Sequence, residues 1–220
     1  MQARAEMREG ILRLGREQLA ERGAANLSVR EISRGLGVAS SAIYRHVASR
    51  DELLTLLLVD AYEDLARVAL EAEGRAATPS QQLDALVRGM RRWAVTEPSR
   101  WGLIYGTPVP GFAAPRESTT GPGTKVMARF AVLLASGRTS DDASTPPSEQ
   151  LSHALLDGLA DLGVDLTAGS AAEIALAWAS LVGVISAEVF GQFGPGFRAT
   201  GEEFLQRWID TTVERFGLEG

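Results

Sequence analysis

The chain of 220 residues contains no cysteine, which excludes disulfides and thiolate metal sites and fits a cytoplasmic protein, the location expected here. Histidine is almost as scarce. His46 and His153 are the only two, and no His-Glu-x-x-His, Gly-x-Ser-x-Gly or phosphate-loop pattern occurs. Little is left from which to assemble general-base or metal catalysis, so an enzyme is not expected, nor any cofactor. His153, beside Leu151, Leu155 and Leu156, reads as a packed or surface histidine. Asp157, Asp161 and Asp165 fall at four-residue spacing and read as a solvated helix face. No uninterrupted apolar run approaches the ~20 residues of a membrane helix. The opening segment MQARAEMREG has mixed charge and no apolar stretch of a signal peptide, so no membrane association is expected.

Lysine is nearly absent as well: Lys125 is the single one among 22 basic residues. The net charge of −6 argues at first against a nucleic-acid partner. Its distribution argues the other way. Residues 1–50 hold nine arginines against five glutamates, a balance of +4, whereas the remainder holds 13 basic and 23 acidic residues, a balance of −10. A basic segment on an acidic body concentrates the attractive field where a polyanion would dock.

Strand signals are nearly missing, and helical ones fill the chain. Ile11, Leu12, Gly15 and Leu19 recur at helical spacing, and Gly23 is a natural stop. Ser28-Val-Arg-Glu31 has the form of a capping box and opens a second helix ending near Gly37, where the reversal calls for a positive φ. A third short helix is predicted over Ser40–His46, and a second capping box, Ser49-Arg-Asp-Glu52, opens a longer one with Leu53, Leu54, Leu57, Leu58, Ala61 and Leu65 on its apolar face. Thr78, Pro79 and Gln81 mark the next start. Thr107–Gly123, with Pro108, Pro110, Pro115 and Pro122, is predicted not to be a continuous helix. Helices are predicted over Thr124–Ala135, Ser148–Leu162, Ser170–Phe190 and Thr200–Phe216, with a loop over Ser136–Pro147.

Ile32, Leu36, Val38, Ile43 and Val47 are spaced as two short helices packed across a tight turn. The second then presents small and polar groups outward, as entry to a DNA major groove requires. Leu36 to Leu54, LGVASSAIYRHVASRDELL, resembles the signature of the TetR/AcrR family of transcriptional regulators, and the likeness runs from about Arg4 to about Leu65. Ala39, Val47 and Arg50 replace the usual Ser, Phe and Lys; the lost cap at Ala39 is one that Ser40 could assume. The resemblance implies phosphate contacts for Ser28, Arg30, Tyr44, His46 and Arg50, and a base-facing role for Ser40, Ser41, Ala42 and Arg45. Only Arg45 can contact guanine bidentately. Packing against the first helix is the competing reading of Tyr44, and plain solvent exposure that of His46.

Glu97 to Pro115, EPSRWGLIYGTPVPGFAAP, resembles the WHG-type subgroup of TetR C-terminal domains, a kinship that names no ligand. Met90, Trp93, Trp101, Tyr105, Phe112, Met127, Phe130 and Trp178 are candidate walls of an effector cavity, and equally candidate core. Ala172, Ala175, Ala179, Gly183 and Ala187 form a small-residue stripe. With the amphipathic helix of Phe204, Leu205, Trp208, Ile209, Val213 and Phe216, it resembles the two-helix unit that doubles into the family's dimer interface.

The expected architecture is all-α. A three-helix DNA-binding domain with a helix-turn-helix spans residues 4–50, with a connecting helix to about 72, and an effector-binding and dimerisation domain spans 78–217. The expected function is a ligand-responsive repressor binding a palindromic double-stranded operator as a homodimer, with a small-molecule effector. The alternative is a helical ligand-binding or scaffold protein without operator binding.

Overall fold

The computed structural model describes residues 2–137, 147–160, 163, 164 and 166–219. The helix end at Leu162, most of the loop over 136–147, and Asp161 and Asp165 fall outside the described residues. Among those described there is no strand. The helices are α1 (Gln2–Arg22), α2 (Val29–Gly35), α3 (Ser40–Ile43), α4 (Arg50–Glu73), α5 (Pro79–Thr96), α6 (Pro98–Tyr105), α7 (Arg116–Ala135), α8 (Glu149–Ala160), α9 (Ala168–Val189) and α10 (Gly201–Phe216), with short 3-10 turns at Ala24–Asn26 and Pro195–Ala199.

The chain divides into two compact units. The first comprises Met1–Asp64 and Glu97–Gly123, the second Leu65–Thr96 and Thr124–Gly220. The first unit closes over Ile11, Leu12, Leu19, Leu27, Val29, Ile32, Ile43, Val47, Leu53, Leu54 and Leu57, all buried. Leu103, Val109 and Phe112 pack against this cluster, so the Pro-rich segment after α6 belongs to the same body as the basic N-terminal helices.

Polar groups lock that placement. Arg100 of α6, 7% exposed, donates to the Asp64 carboxylate at 2.7 Å and to Asp60 Oδ2 at 2.9 Å. Arg16 of α1 grips the same Asp60 at 2.6 and 2.9 Å. The bond to Asp60 raises the Arg16 pKa above its ordinary value against the opposing effect of burial. Three helices thus share one alternating chain of charges. Close by in sequence, Trp101 and Tyr105 meet at 4.4 Å between ring centres, and burial holds the Tyr105 phenol well above its usual pKa.

The second unit is built on α5, α9 and α10. Glu188, 3% exposed, is held by Arg91 through two bonds of 2.7 and 2.8 Å. Arg91 also pairs with Glu202, as does Arg88, which in turn reaches Asp84 and Gln206. Gly201 opens α10 directly beside the Glu188 carboxyl, with which a Cβ at that position would collide. The absent side chain lets a carboxylate reach a helix N-terminus, where the backbone dipole favours negative charge.

Two elements differ from the sequence-based expectation. The seventh helix starts at Arg116 rather than Thr124 and carries Pro122 inside it. Proline there forgoes one backbone hydrogen bond, a single loss in a 20-residue helix whose buried residues all lie beyond it. Val126, Phe130, Ala131, Leu133 and Leu134 are the buried residues of that helix. The third helix is one turn, Ser40–Ile43, with Tyr44 as its C-terminal cap and turn geometry through His46.

Candidate DNA-binding site

The site is built by the start of α2, the turn, α3 and the start of α4. Ser28 caps α2, its Oγ accepting from Glu31 N–H at 3.3 Å. The reciprocal half of the expected capping box is absent: the Ser28 N–H goes to Gln18 Oε1 at 2.9 Å, and Glu31 instead pairs with Arg22. Gln18 also donates to the Ser28 carbonyl at 3.4 Å, so one buried amide of α1 clamps both backbone groups of the cap. Sequence reading passed over Gln18, because an amide on a helix ten residues away carries no local signature.

Gly37 stands at φ 66°. Its N–H donates to the Arg34 carbonyl and that of Val38 to the Ser33 carbonyl, the paired bonds that end a helix on a left-handed residue. The reversal expected at Gly37 is therefore present, with its geometric cause.

Ser40 does not take over the lost cap. Ala39 is the N-cap of α3 and offers no side-chain acceptor. The Ser40 hydroxyl instead lies 3.3 Å from that of Ser33, which itself donates to the Arg30 carbonyl at 2.7 Å. Hydroxyl contact between α2 and α3 adds to the buried Ile32 and Ile43 in fixing their crossing. At Ser49 the cap itself forms, Glu52 N–H donating to Ser49 Oγ at 3.1 Å, while the Glu52 carboxylate accepts from the N–H of Ala48, one residue before the cap, at 2.6 Å.

Above this frame, Arg30, Ser40, Ser41, Tyr44 and Arg45 are exposed, while Ser28, Ala42, His46 and Arg50 are half-buried. Tyr44 is 40% exposed, too open for core packing to be its main task. Arg50 donates to the Ala24 and Ala25 carbonyls at 3.0 and 3.2 Å, which ties the start of α4 to the 3-10 turn.

Charge pairing sorts the nine arginines of residues 1–50 into two groups. Arg13, Arg16, Arg22, Arg34 and Arg50 each have a carboxylate within 4 Å. Among the described residues Arg4, Arg8, Arg30 and Arg45 have none. Unneutralised guanidinium groups beside a thin, small-residue helix edge suit a phosphate backbone and a base edge.

Similarity to known proteins agrees with this geometry. Residues 11–57 match the family model described as bacterial regulatory proteins, tetR family, and residues 83–212 match that of the tetracyclin repressor-like C-terminal domain. The chain belongs to the TetR family. It is 44% identical over 200 residues to HTH-type transcriptional regulators of Mycobacterium tuberculosis and Mycobacterium bovis, covering 87% of this chain and 84% of theirs. The solved structure of a regulatory protein, SCO4313, matches at TM-score 0.77 with 29% identity over 97% of this chain and 98% of that one. A protein of unknown function from Rhodococcus shares the fold at TM-score 0.68 and 19% identity over 97% of this chain and 96% of its own.

This TetR-family chain is accordingly a transcriptional regulator with a helix-turn-helix DNA-binding domain, not an enzyme. The eight effector candidates fall into two groups. Trp101, Tyr105 and Phe112 lie in the first unit. Met90, Trp93, Met127, Phe130 and Trp178 lie in the second, where the Phe130 ring meets Trp178 at 5.3 Å and Trp208 at 6.2 Å. A hollow of about 490 Å³ in the second unit runs between α9 and α10, beside Leu176, Ser180, Val184, Phe204 and Trp208, and none of the eight lines it. His153 is exposed, 3.3 Å from Asp157, and belongs to neither group.

Proposed function

We propose that the protein is a ligand-responsive repressor that binds a near-palindromic operator in the cytoplasm as a homodimer. The observation carrying the DNA half is the cluster of unpaired cations around α3. In this reading Ser28, Arg30, Tyr44, His46 and Arg50 hold phosphates, while Ser40, Ser41, Ala42 and Arg45 face base edges. Phosphate contacts orient the domain and base contacts supply its specificity.

Dimerisation is supported by α9. Its Ala171, Ile174, Ala177, Leu181 and Ile185 are buried within the chain, whereas Leu176, Ala179, Ser180 and Gly183 are exposed. By length and composition this 22-residue helix is apolar enough to cross a membrane, yet Glu173 pairs with Arg215 of α10 and Glu188 is locked to Arg91. An uncovered apolar face on a helix so anchored suits a second copy of the chain, which would double α9 and α10 into four helices.

The effector reading rests on the aromatic and methionine side chains of the second unit, Phe130, Trp178, Met90, Trp93 and Met127; Trp101, Tyr105 and Phe112 are the candidates within the first. Response to a ligand requires that it favour one of two conformations. Linkage then demands that operator and effector weaken each other by equal factors, typically ~1–3 kcal/mol. Helix α4 is the proposed lever, because it begins beside the reading helix at Arg50 and continues to Glu73.

The test is binding of duplexes selected from random sequence. Arg45→Ala is expected to cost ~1–3 kcal/mol at its preferred base pair and to change base preference there. Tyr44→Phe removes one hydroxyl and is expected to weaken every duplex alike, by about 0.5–1.5 kcal/mol. If Arg45→Ala lowers affinity equally for all operator variants, Arg45 is a phosphate anchor and base reading lies elsewhere. Absence of any wild-type complex at low salt would leave the scaffold alternative.

A further inference from the structure

We propose that Arg4 and Arg8, on the opening turns of α1, complete a phosphate-binding hollow with His46 and hold a backbone phosphodiester flanking the base pair read by Arg45. This deepens the operator-binding reading and rests on it.

The hollow lies within the first unit, with a volume of about 500 Å³, and Arg4, Arg8, Arg45, His46 and Glu52 line it above Leu56. Three of the four arginines that lack a carboxylate partner in residues 1–50 therefore converge on one concavity. Glu52 is the one carboxylate in the lining, and it accepts the Ala48 N–H in capping α4. Counting three guanidinium groups against that carboxylate, the lining carries +2 with His46 neutral. Like charges gathered in a concave place with low-dielectric walls focus a positive potential, and an anion there relieves their mutual repulsion. The planar fork of arginine matches the oxygens of a phosphate group bidentately, and the imidazole supplies a further N–H donor. Arg45 lines the hollow and also stands in the turn that directly follows the reading helix. A phosphate seated here would lie next to the base pair that Arg45 addresses, which makes a duplex the occupant rather than a free anion.

The family pattern in the sequence drew attention to α2, α3 and the start of α4, and passed over α1 as packing. Its inner face does pack, through Ile11, Leu12 and Leu19, which are buried. Arg4 and Arg8 lie on its exposed side, one turn apart. Their placement beside His46 depends on how α1 crosses the domain, which spacing alone does not disclose.

The experiment compares wild type, the double variant Arg4→Gln/Arg8→Gln and the conservative Arg4→Lys/Arg8→Lys in duplex titrations over a range of salt. Each lost phosphate contact removes about 0.9 from the slope of log affinity against log salt. The glutamine variant is thus expected to bind selected and scrambled duplexes alike at least ~10-fold more weakly, with a slope shallower by about 1–2. The lysine variant should keep most of the slope. An unchanged thermal transition in the glutamine variant would show that the loss is one of contact. Wild-type affinity and slope in the glutamine variant would overturn the proposal while leaving operator binding intact. A parallel titration of the DNA-free protein with inorganic phosphate separates the two sources of phosphate. Saturable binding that the glutamine variant loses, beside an unchanged duplex slope, would make this a free-anion site and also overturn the proposal. Were wild type to bind no duplex at any salt, the operator-binding reading would fail and this one with it.

Discussion

Leu176→Arg is expected to turn the protein into a monomer and to lower its affinity for a two-half-site operator on the order of 10²–10⁴-fold, the gain that linked half-site binding confers. Leu176 is 59% exposed in the single chain, so the new side chain meets no crowding there. Surface substitutions of that kind usually change stability by less than ~0.5 kcal/mol. Leu176 lies on one line along α9 with Ala172, Ala179 and Gly183 of the small-residue stripe, whose last member, Ala187, is buried within the chain, and a Cβ added at Gly183 would meet no atom within 4 Å. In the dimer, two such lines would face each other. Paired guanidinium groups buried there would bring like charges together without counter-ions, which is strongly unfavourable. Sedimentation gives the mass, and titration of a full operator against a single half-site gives the loss. A Leu176→Arg variant that remains dimeric would remove α9 from the interface.

Arg100→Ala is expected to destabilise the first unit by about 3–5 kcal/mol, the usual cost of stranding buried charge. Its removal takes away the guanidinium that the Asp60 and Asp64 carboxylates share, while Arg16 stays on Asp60. The same substitution unties α6 from α4, so DNA binding should fall at temperatures where the rest of the fold survives. Neutralising one partner as well, with Asp64→Asn, should recover part of the stability, because the two carboxylates that shared Arg100 then no longer repel each other. Denaturant unfolding of the three variants reads these differences directly. A shift under ~0.5 kcal/mol for Arg100→Ala would mean that solvent reaches this cluster freely.

What sequence could disclose depended on the distance over which each signal acts. The reading helix was legible because its signals are local: Gly37 supplies the left-handed turn, Ser28 and Ser49 accept from the amides three residues on, and Ile32, Ile43 and Val47 repeat at helical spacing. The all-α fold followed from the same periodicities. The Arg16–Asp60–Arg100–Asp64 chain was illegible, since its partners lie 36–44 residues apart and any other carboxylates would have matched as well. The same holds for the clamp of Gln18 on Ser28. Proline counting misplaced the start of α7, because the penalty at Pro122 is local while the packing that offsets it is not. Aromatic residues mark apolar sites but not which body they join. Phe112 therefore reads like Phe130 in sequence, although it packs against the helix-turn-helix core.

The most direct measurement is a footprint, with stoichiometry, on duplexes that the full chain selects from random sequence. The expected result is two protected half-sites related by a two-fold axis, centred one helical turn or a multiple of it apart (about 34–36 Å), with two chains, or two pairs, per duplex. Protection of a single asymmetric half-site by one chain, at concentrations that saturate it, would contradict the account.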